Sequence, residues 1–112
     1  MKNLGVYYGA TLLNETDLVE TKNDNKIVLE YYGIKKHGIE KTKLKTFYGI
    51  KIVKKEYGKD EIKCETNSMS KISTNENKIK NIIEMLKINK VTPMGLGDVI
   101  TDILKRPEFQ GE

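Results

Sequence analysis

The sequence predicts an α+β fold, in which an antiparallel β-meander of four or five strands is followed by a C-terminal helical hairpin packed on one sheet face. Two observations predict it. Apolar residues alternate with polar ones over residues 43–55, and from residue 79 they recur at helical spacing. Since each pattern creates one apolar side, the sheet and the helices can cover each other. The chain has 112 residues, which suits one domain. We therefore expect a single domain over residues 1–107 and a flexible tail over residues 108–112.

The first strands are predicted from runs of β-branched and aromatic residues between turn signals. Residues 4–13 and 26–34 are such runs, and the Asn-Asp-Asn sequence of residues 23–25 is a turn signal between them. His37-Gly38 predicts the turn that follows the second run.

The clearest strand spans residues 43–55, where apolar or hydroxyl side chains hold the even positions Leu44, Thr46, Tyr48, Ile50 and Ile52. Lysines hold most of the odd positions, so one face of the strand is predicted to be apolar and the other basic. Residues 58–60 predict a hairpin turn into a strand over residues 61–66, with Ile62 and Cys64 facing the core.

Two helices are predicted after this sheet. Ser73 and Glu76 have the spacing of a capping box, although Thr74 or Asn75 is also a suitable cap. Thr92-Pro93 predicts the start of the second helix, because proline is favoured at the first helical position. The predicted core consists of Leu44, Tyr48, Ile50, Ile52, Ile62, Ile79, Ile82, Ile83, Leu86, Leu96, Val99, Ile100, Ile103 and Leu104.

The composition leaves the meaning of the positive charge open. Of 20 basic residues only Arg106 is an arginine, and the formal net charge is +4. An excess of lysine, isoleucine and asparagine is typical of A/T-rich genomes, so solvated lysines explain the charge as well as a binding surface does. We expect a cytoplasmic protein with no signal peptide and no membrane contact, because the chain has one cysteine and no apolar run of about 20 residues.

A candidate binding face follows from the odd positions of the strand over residues 43–55. Its residues are Lys43, Lys45, Phe47, Lys51 and Lys55. An aromatic ring among lysines suits stacking on a base or anchoring a protein partner. An ordinary cross-strand contact on a solvated sheet is the alternative interpretation.

A candidate acidic contact strip lies on the second helix, where Asp98 and Asp102 are four residues apart. This strip suits a basic partner. The alternative is structural, since aspartates in the early turns of a helix complement its dipole.

The sequence gives little support to catalysis. Cys64 is predicted to face the core and His37 to lie in a turn, and no phosphate loop or metal-ligand spacing is present. We therefore expect no enzyme activity and no cofactor. Two function classes remain: a regulatory or adaptor protein that binds a protein partner, and a nucleic-acid-binding accessory protein that uses the lysine-rich sheet face. The sequence predicts no oligomeric state.

The C-terminal half resembles an uncharacterised family of small clostridial proteins of unknown function, over residues 45–105. The residues that carry this resemblance are Tyr48-Gly49-Ile50, Ile72-Ser73, Val91, Pro93, Leu96, Asp98, Val99 and Asp102. The resemblance implies a low-G+C Gram-positive source and implies no activity. It does not extend to residues 1–40.

Overall fold

The computed structural model describes the backbone of residues 3–13 and, with the exception of the Glu40 side chain, all of residues 26–107. The strands are β1 (Asn3–Leu13), β2 (Lys26–Glu40), β3 (Lys43–Tyr57) and β4 (Ile62–Ser73), and the helices are α1 (Glu76–Ile88) and α2 (Leu96–Leu104). The predicted turn at residues 23–25 and the predicted tail at residues 108–112 lie outside the described residues.

The predicted α+β class, an antiparallel sheet followed by two helices, is confirmed. The strands lie in the order β1-β2-β3-β4, so every neighbour in the sheet is also a neighbour in the chain. One side of the sheet, here called the inner face, carries the buried residues Ile27, Leu29, Tyr31, Ile50 and Ile52. These residues form a single core cluster with the apolar stripes of both helices. The opposite side is the outer face.

The β2–β3 hairpin is longer than predicted, and its turn lies elsewhere. His37 and Gly38 do not form a turn, because both are paired within the sheet, opposite Thr46 and Lys45. The chain turns instead at Lys41 and Thr42, whose φ angles are 51° and 65°. A two-residue hairpin loop favours positive φ at both positions, since that twist matches the strands. Neither residue is the glycine or asparagine that normally signals such a turn, so the sequence pattern did not reveal it.

The register of β4 reverses the prediction for Ile62 and Cys64. Cys64 lies opposite Lys55 and Ile62 opposite Tyr57, so odd positions of β3 face even positions of β4. Residues directly opposite in a sheet point to the same face. Cys64 is therefore exposed on the outer face rather than buried, and Ile62 is 58% exposed.

Most of the predicted core is confirmed. The buried members are Ile50, Ile52, Ile79, Ile82, Ile83, Leu86, Leu96, Ile100 and Ile103. Tyr48, Val99 and Leu104 are partly buried against them. The prediction for Leu44 is wrong. Its side chain points to the inner face, but Leu44 lies six residues from Ile50 towards the hairpin turn, where its side chain is 77% exposed. The prediction missed Ile27, Leu29, Tyr31 and Val91, which are also buried.

Polar contacts fix the helical layer on the sheet. The Asn75 side chain accepts a hydrogen bond from the Lys78 N–H, which makes it the cap of α1 among the alternatives. A short 3₁₀ helix, Pro93–Gly95, leads into α2. The buried Tyr31 hydroxyl donates to the Val91 carbonyl over 2.9 Å. The Asn67 amide donates to the Pro93 carbonyl over 3.0 Å. Both bonds tie the sheet to the segment that enters α2.

Gly49 marks a close approach of two backbones. The pairing of β3 with β4 is irregular between Tyr48 and Ile50. A Cβ atom at Gly49 would lie 2.1 Å from the Met69 carbonyl oxygen and 2.7 Å from Ser70 backbone atoms. Since no side chain fits in that space, glycine is required here.

Candidate binding face

The candidate binding residues share the outer face of β3. Lys51 lies opposite Tyr32 and Lys55 opposite Val28, while the intervening Ile52 is buried on the inner face. The odd positions of the strand therefore lie together, at Lys43, Lys45, Phe47, Lys51 and Lys55. With a rise of about 3.4 Å per residue, this row extends over roughly 40 Å.

Two further lysines, absent from the sequence prediction, complete this face around Phe47. Lys36 of β2 lies directly opposite Phe47. The ammonium of Lys71 in β4 is 5.2 Å from the centre of the Phe47 ring, and that of Lys45 is 5.8 Å from it. These are cation–π distances. We call the set Lys36, Lys43, Lys45, Phe47, Lys51, Lys55 and Lys71 the lysine face.

Glu30 neutralises one end of the lysine face. Its carboxylate accepts a hydrogen bond from the Tyr32 hydroxyl over 2.9 Å and lies 3.2 Å from the ammonium of Lys55. The hydrogen bond and the charge of Glu30 raise the pKa of Lys55. The ammonium of Lys51 is 5.9 Å from the centre of the Tyr32 ring. Lys55 is thus held in an ion pair, whereas Lys51 lies over an aromatic ring.

The two faces of the sheet differ in charge balance. Among the side chains that are described, Glu30 is the only carboxylate on the outer phase of β2, β3 and β4, against the six lysines of the lysine face. On the inner phase of β3 and β4 the charges alternate, since Lys54 lies opposite Glu65 and Glu56 opposite Lys63. The outer face is therefore the basic one, and its charge arises from the register rather than from composition alone.

Such a face suits a flexible polyanion. Lysine side chains are long, and their ammonium groups can leave an aromatic ring for a phosphate or a carboxylate without moving the backbone. Phe47 and Tyr32 are partly buried, so each ring presents only part of its surface.

The acidic contact strip lies on the other layer of the molecule. Asp98 and Asp102 are both exposed on α2, and Asp98 is in the first turn of that helix. The two candidate surfaces are not brought together. The position of Asp98 agrees with the helix-dipole interpretation as well as with a contact surface.

A pair of exposed aliphatic residues lies at the tip of the β2–β3 hairpin. Ile39 lies directly opposite Leu44, and the two side chains are 75% and 77% exposed. An open depression of about 330 Å³ beside them is lined by Lys41, Lys43, Leu44 and Lys45. The tip therefore combines an aliphatic pair with lysines.

Cys64 and His37 lie on opposite faces of the sheet. The His37 ring is 3.0 Å from the Thr46 hydroxyl, on the inner phase, whereas Cys64 lies on the outer face. Within residues 26–107 and the backbone of β1, no three His, Cys, Asp or Glu side chains are grouped closely enough to hold a metal ion. No helix of the described chain has the length and apolar character to cross a membrane.

Comparison with known proteins shows one family. No curated protein and no solved structure matches the chain. The sequence profile of a family of unknown function, DUF6514, matches residues 10–106. This match takes in β2 and the last four residues of β1 as well as the C-terminal half. The chain therefore belongs to the family of unknown function DUF6514.

Proposed function

We propose that the protein is a binding protein without catalytic activity, and that its lysine face binds single-stranded nucleic acid. The observation that supports this most is the charge of the outer face, which has six lysines against one described carboxylate that is itself paired with Lys55. We take the two helices as a hairpin that packs on the inner face. The outer face is then the side of the sheet that can bind the partner. Lysines along a groove or face supply sequence-independent affinity for phosphates.

Nucleic acid fits this face better than the protein partner that the sequence favoured. Phe47 lies in the middle of the lysines, and Tyr32 lies beside Lys51. Aromatic rings between cationic side chains are the usual platform for single strands, because every base can stack on them. The near absence of arginine argues for contacts to the backbone rather than for readout of particular bases.

The cellular setting is part of the same proposal. A lysine-, isoleucine- and asparagine-rich composition and a single cysteine support a cytoplasmic protein of a low-G+C Gram-positive bacterium. A regulatory or accessory role on nucleic acid is consistent with a chain of this size.

The test is a titration against single-stranded DNA or RNA at two or more salt concentrations. If four lysines contact phosphates, the slope of log affinity against log salt is about −3, since each contact to a single strand contributes about −0.7. The double variant K45E/K51E should weaken binding at least tenfold and make the slope shallower. The control K59E/K80E makes the same change in net charge at exposed positions away from the lysine face, and it should bind within about threefold of the wild-type protein. No binding at micromolar protein and low salt, or equal losses in the two variants, would contradict the proposal.

A regulatory or adaptor role through a protein partner is the second candidate. The exposed aliphatic pair Ile39 and Leu44 at the hairpin tip supports it, because exposed apolar patches mark sites of protein interaction. The measurement is affinity capture from a nuclease-treated lysate of the source organism. A protein partner that the wild-type protein captures should be missing from the capture by the variant I39S/L44S. I88S is the matched control, since Ile88 on α1 is 76% exposed. Loss in both variants, or in neither, would contradict an anchor at the tip.

A further inference from the structure

The outer edge of β4 is an open end of the sheet. Among the described residues, β4 pairs with β3 on one side only, and it is the last strand in the order β1-β2-β3-β4. Residues 62–68 are all exposed. The irregular pairing near Gly49 begins only beyond Met69. A run of seven residues, about 23 Å long, thus presents backbone groups along the edge, and of these the Ser68 N–H is bonded to the Asn67 side chain.

Within the described residues, this edge has only part of the usual protection against pairing. Proteins shield edge strands with charged side chains, with proline, with bulges or with a covering segment. The charges present here, Lys63 and Glu65, are of opposite sign, so they repel some partner strands but not every one. Residues 62–68 contain no proline or glycine. In the part of the chain that is described, the contact from the helical layer reaches this strand at Asn67, through the Pro93 carbonyl. The residues before Asn67 are accessible to another strand.

The charges on the edge of one copy are complementary to those on the edge of a second, antiparallel copy. Lys63 and Glu65 are the only charged residues in the run, and they flank Cys64. A twofold axis through Cys64 places Lys63 of one copy opposite Glu65 of the other, twice. An axis at Lys63 would place lysine opposite lysine, and an axis at Glu65 would place glutamate opposite glutamate. Because opposite charges across an antiparallel pair stabilise it and like charges destabilise it, the register centred on Cys64 is favoured over these two. An axis at Ile62 would place Lys63 opposite Glu61, but Glu61 lies before the start of β4.

We propose that two copies of this chain associate through β4, antiparallel and centred on Cys64, to form one continuous sheet. Residues directly opposite point to the same face, so the two outer faces become a single surface. This interface is isologous, which means that the same residues meet on both copies. It is independent of what the lysine face binds.

Charge exchange tests the register. The wild-type protein should sediment with twice the mass of the 12.8 kDa chain at high micromolar concentration and dissociate on dilution. K63E and E65K should each weaken self-association at least tenfold, because each places like charges opposite each other. An equimolar mixture of K63E and E65K should again associate, and the double variant K63E/E65K should self-associate within about threefold of wild type. Recovery on mixing cannot arise from misfolded variants.

A thiol cross-link tests the centre of the pairing. A short bis-maleimide should join two wild-type chains through Cys64, and C64S should remain monomeric on the gel. In the control C64S/N81C, the thiol is moved to an exposed position on α1, and no cross-linked dimer is expected. A wild-type protein that stays monomeric at every concentration would overturn the proposal. So would single charge variants that associate as well as wild type.

Discussion

The middle of the β2–β3 hairpin and its tip have the same alternation of side chains but opposite burial. In the middle, Tyr31 lies opposite Ile52, and both are completely buried. At the tip, Ile39 lies opposite Leu44 on the same inner face, and both are about three-quarters exposed. The difference lies in the helices, whose apolar stripes pack on the middle of the hairpin. Alternation thus determines which face a side chain joins, whereas burial also needs a second layer above that face.

The largest expected loss of stability is in the core between the helices and the middle of the hairpin. Ile83→Ala and Ile100→Ala should each lower the free energy of unfolding by about 3 kcal/mol, because each leaves a cavity in the shared core. Leu44→Ala, at the tip, should change it by less than about 0.5 kcal/mol. Urea unfolding of the three variants measures these values. Equal losses at Leu44 and Ile100 would remove the distinction between the two regions.

The next largest effect is expected at Gly49, where the backbones of β3 and β4 come close together. Gly49→Ala should destabilise the protein by about 2–3 kcal/mol, since the new Cβ atom meets main-chain atoms that cannot give way. Gly97→Ala is the matched control. Nothing lies within 4 Å of a Cβ atom there, and alanine in α2 should stabilise the helix by about 0.5–1 kcal/mol. A similar sign for both changes would contradict the close approach of β3 and β4.

Tyr31 gives a smaller effect with a pH dependence. Tyr31→Phe should cost about 1–2 kcal/mol, because it leaves the Val91 carbonyl without its donor. Burial raises the pKa of Tyr31, so its contribution is fully present below about pH 10, the pKa of an unfolded tyrosine. As pH rises above that value, wild type should lose up to about 1.4 kcal/mol per unit relative to Tyr31→Phe. A stability difference between the two proteins that stays constant from pH 8 to 11 would exclude a buried phenol.

The smallest effect is expected at the tip itself. Thr42 is β-branched and has a φ of 65°, a conformation that costs such a residue about 1 kcal/mol or more. Replacing Lys41-Thr42 with Asn-Gly should raise the free energy of unfolding by about 1 kcal/mol, because these residues favour the turn. Exchanging Lys59-Asp60 for Asn-Gly in the other turn serves as the comparison, and it should stabilise less. A loss of stability in the first variant would contradict a two-residue turn at Lys41 and Thr42.

The sequence predicted the faces of β3 and both helices well, because the periodic pattern of each is long and regular. It failed where the register or coverage decides the outcome. The burial of Cys64 was predicted from its phase within one strand, but its face depends on the loop that sets the pairing with Lys55. The addition of Lys36 and Lys71 to the candidate face likewise depends on which residues lie across from Phe47. A correct prediction of the β2–β3 turn would have placed Lys36 opposite Phe47. A correct prediction of the β3–β4 loop would have placed Cys64 opposite Lys55, on the outer face.

The order of the strands has a consequence for how the chain folds. β2 and β3 are joined by two residues, Lys41 and Thr42, and all neighbouring strands are consecutive in the chain. Because the entropic cost of closing a loop grows with its length, successive hairpins can form before distant segments meet. The bond from Tyr31 to Val91 joins residues 60 positions apart, so we expect the helical layer to dock late. Truncations such as Ile100→Ala should then speed unfolding more than they slow folding.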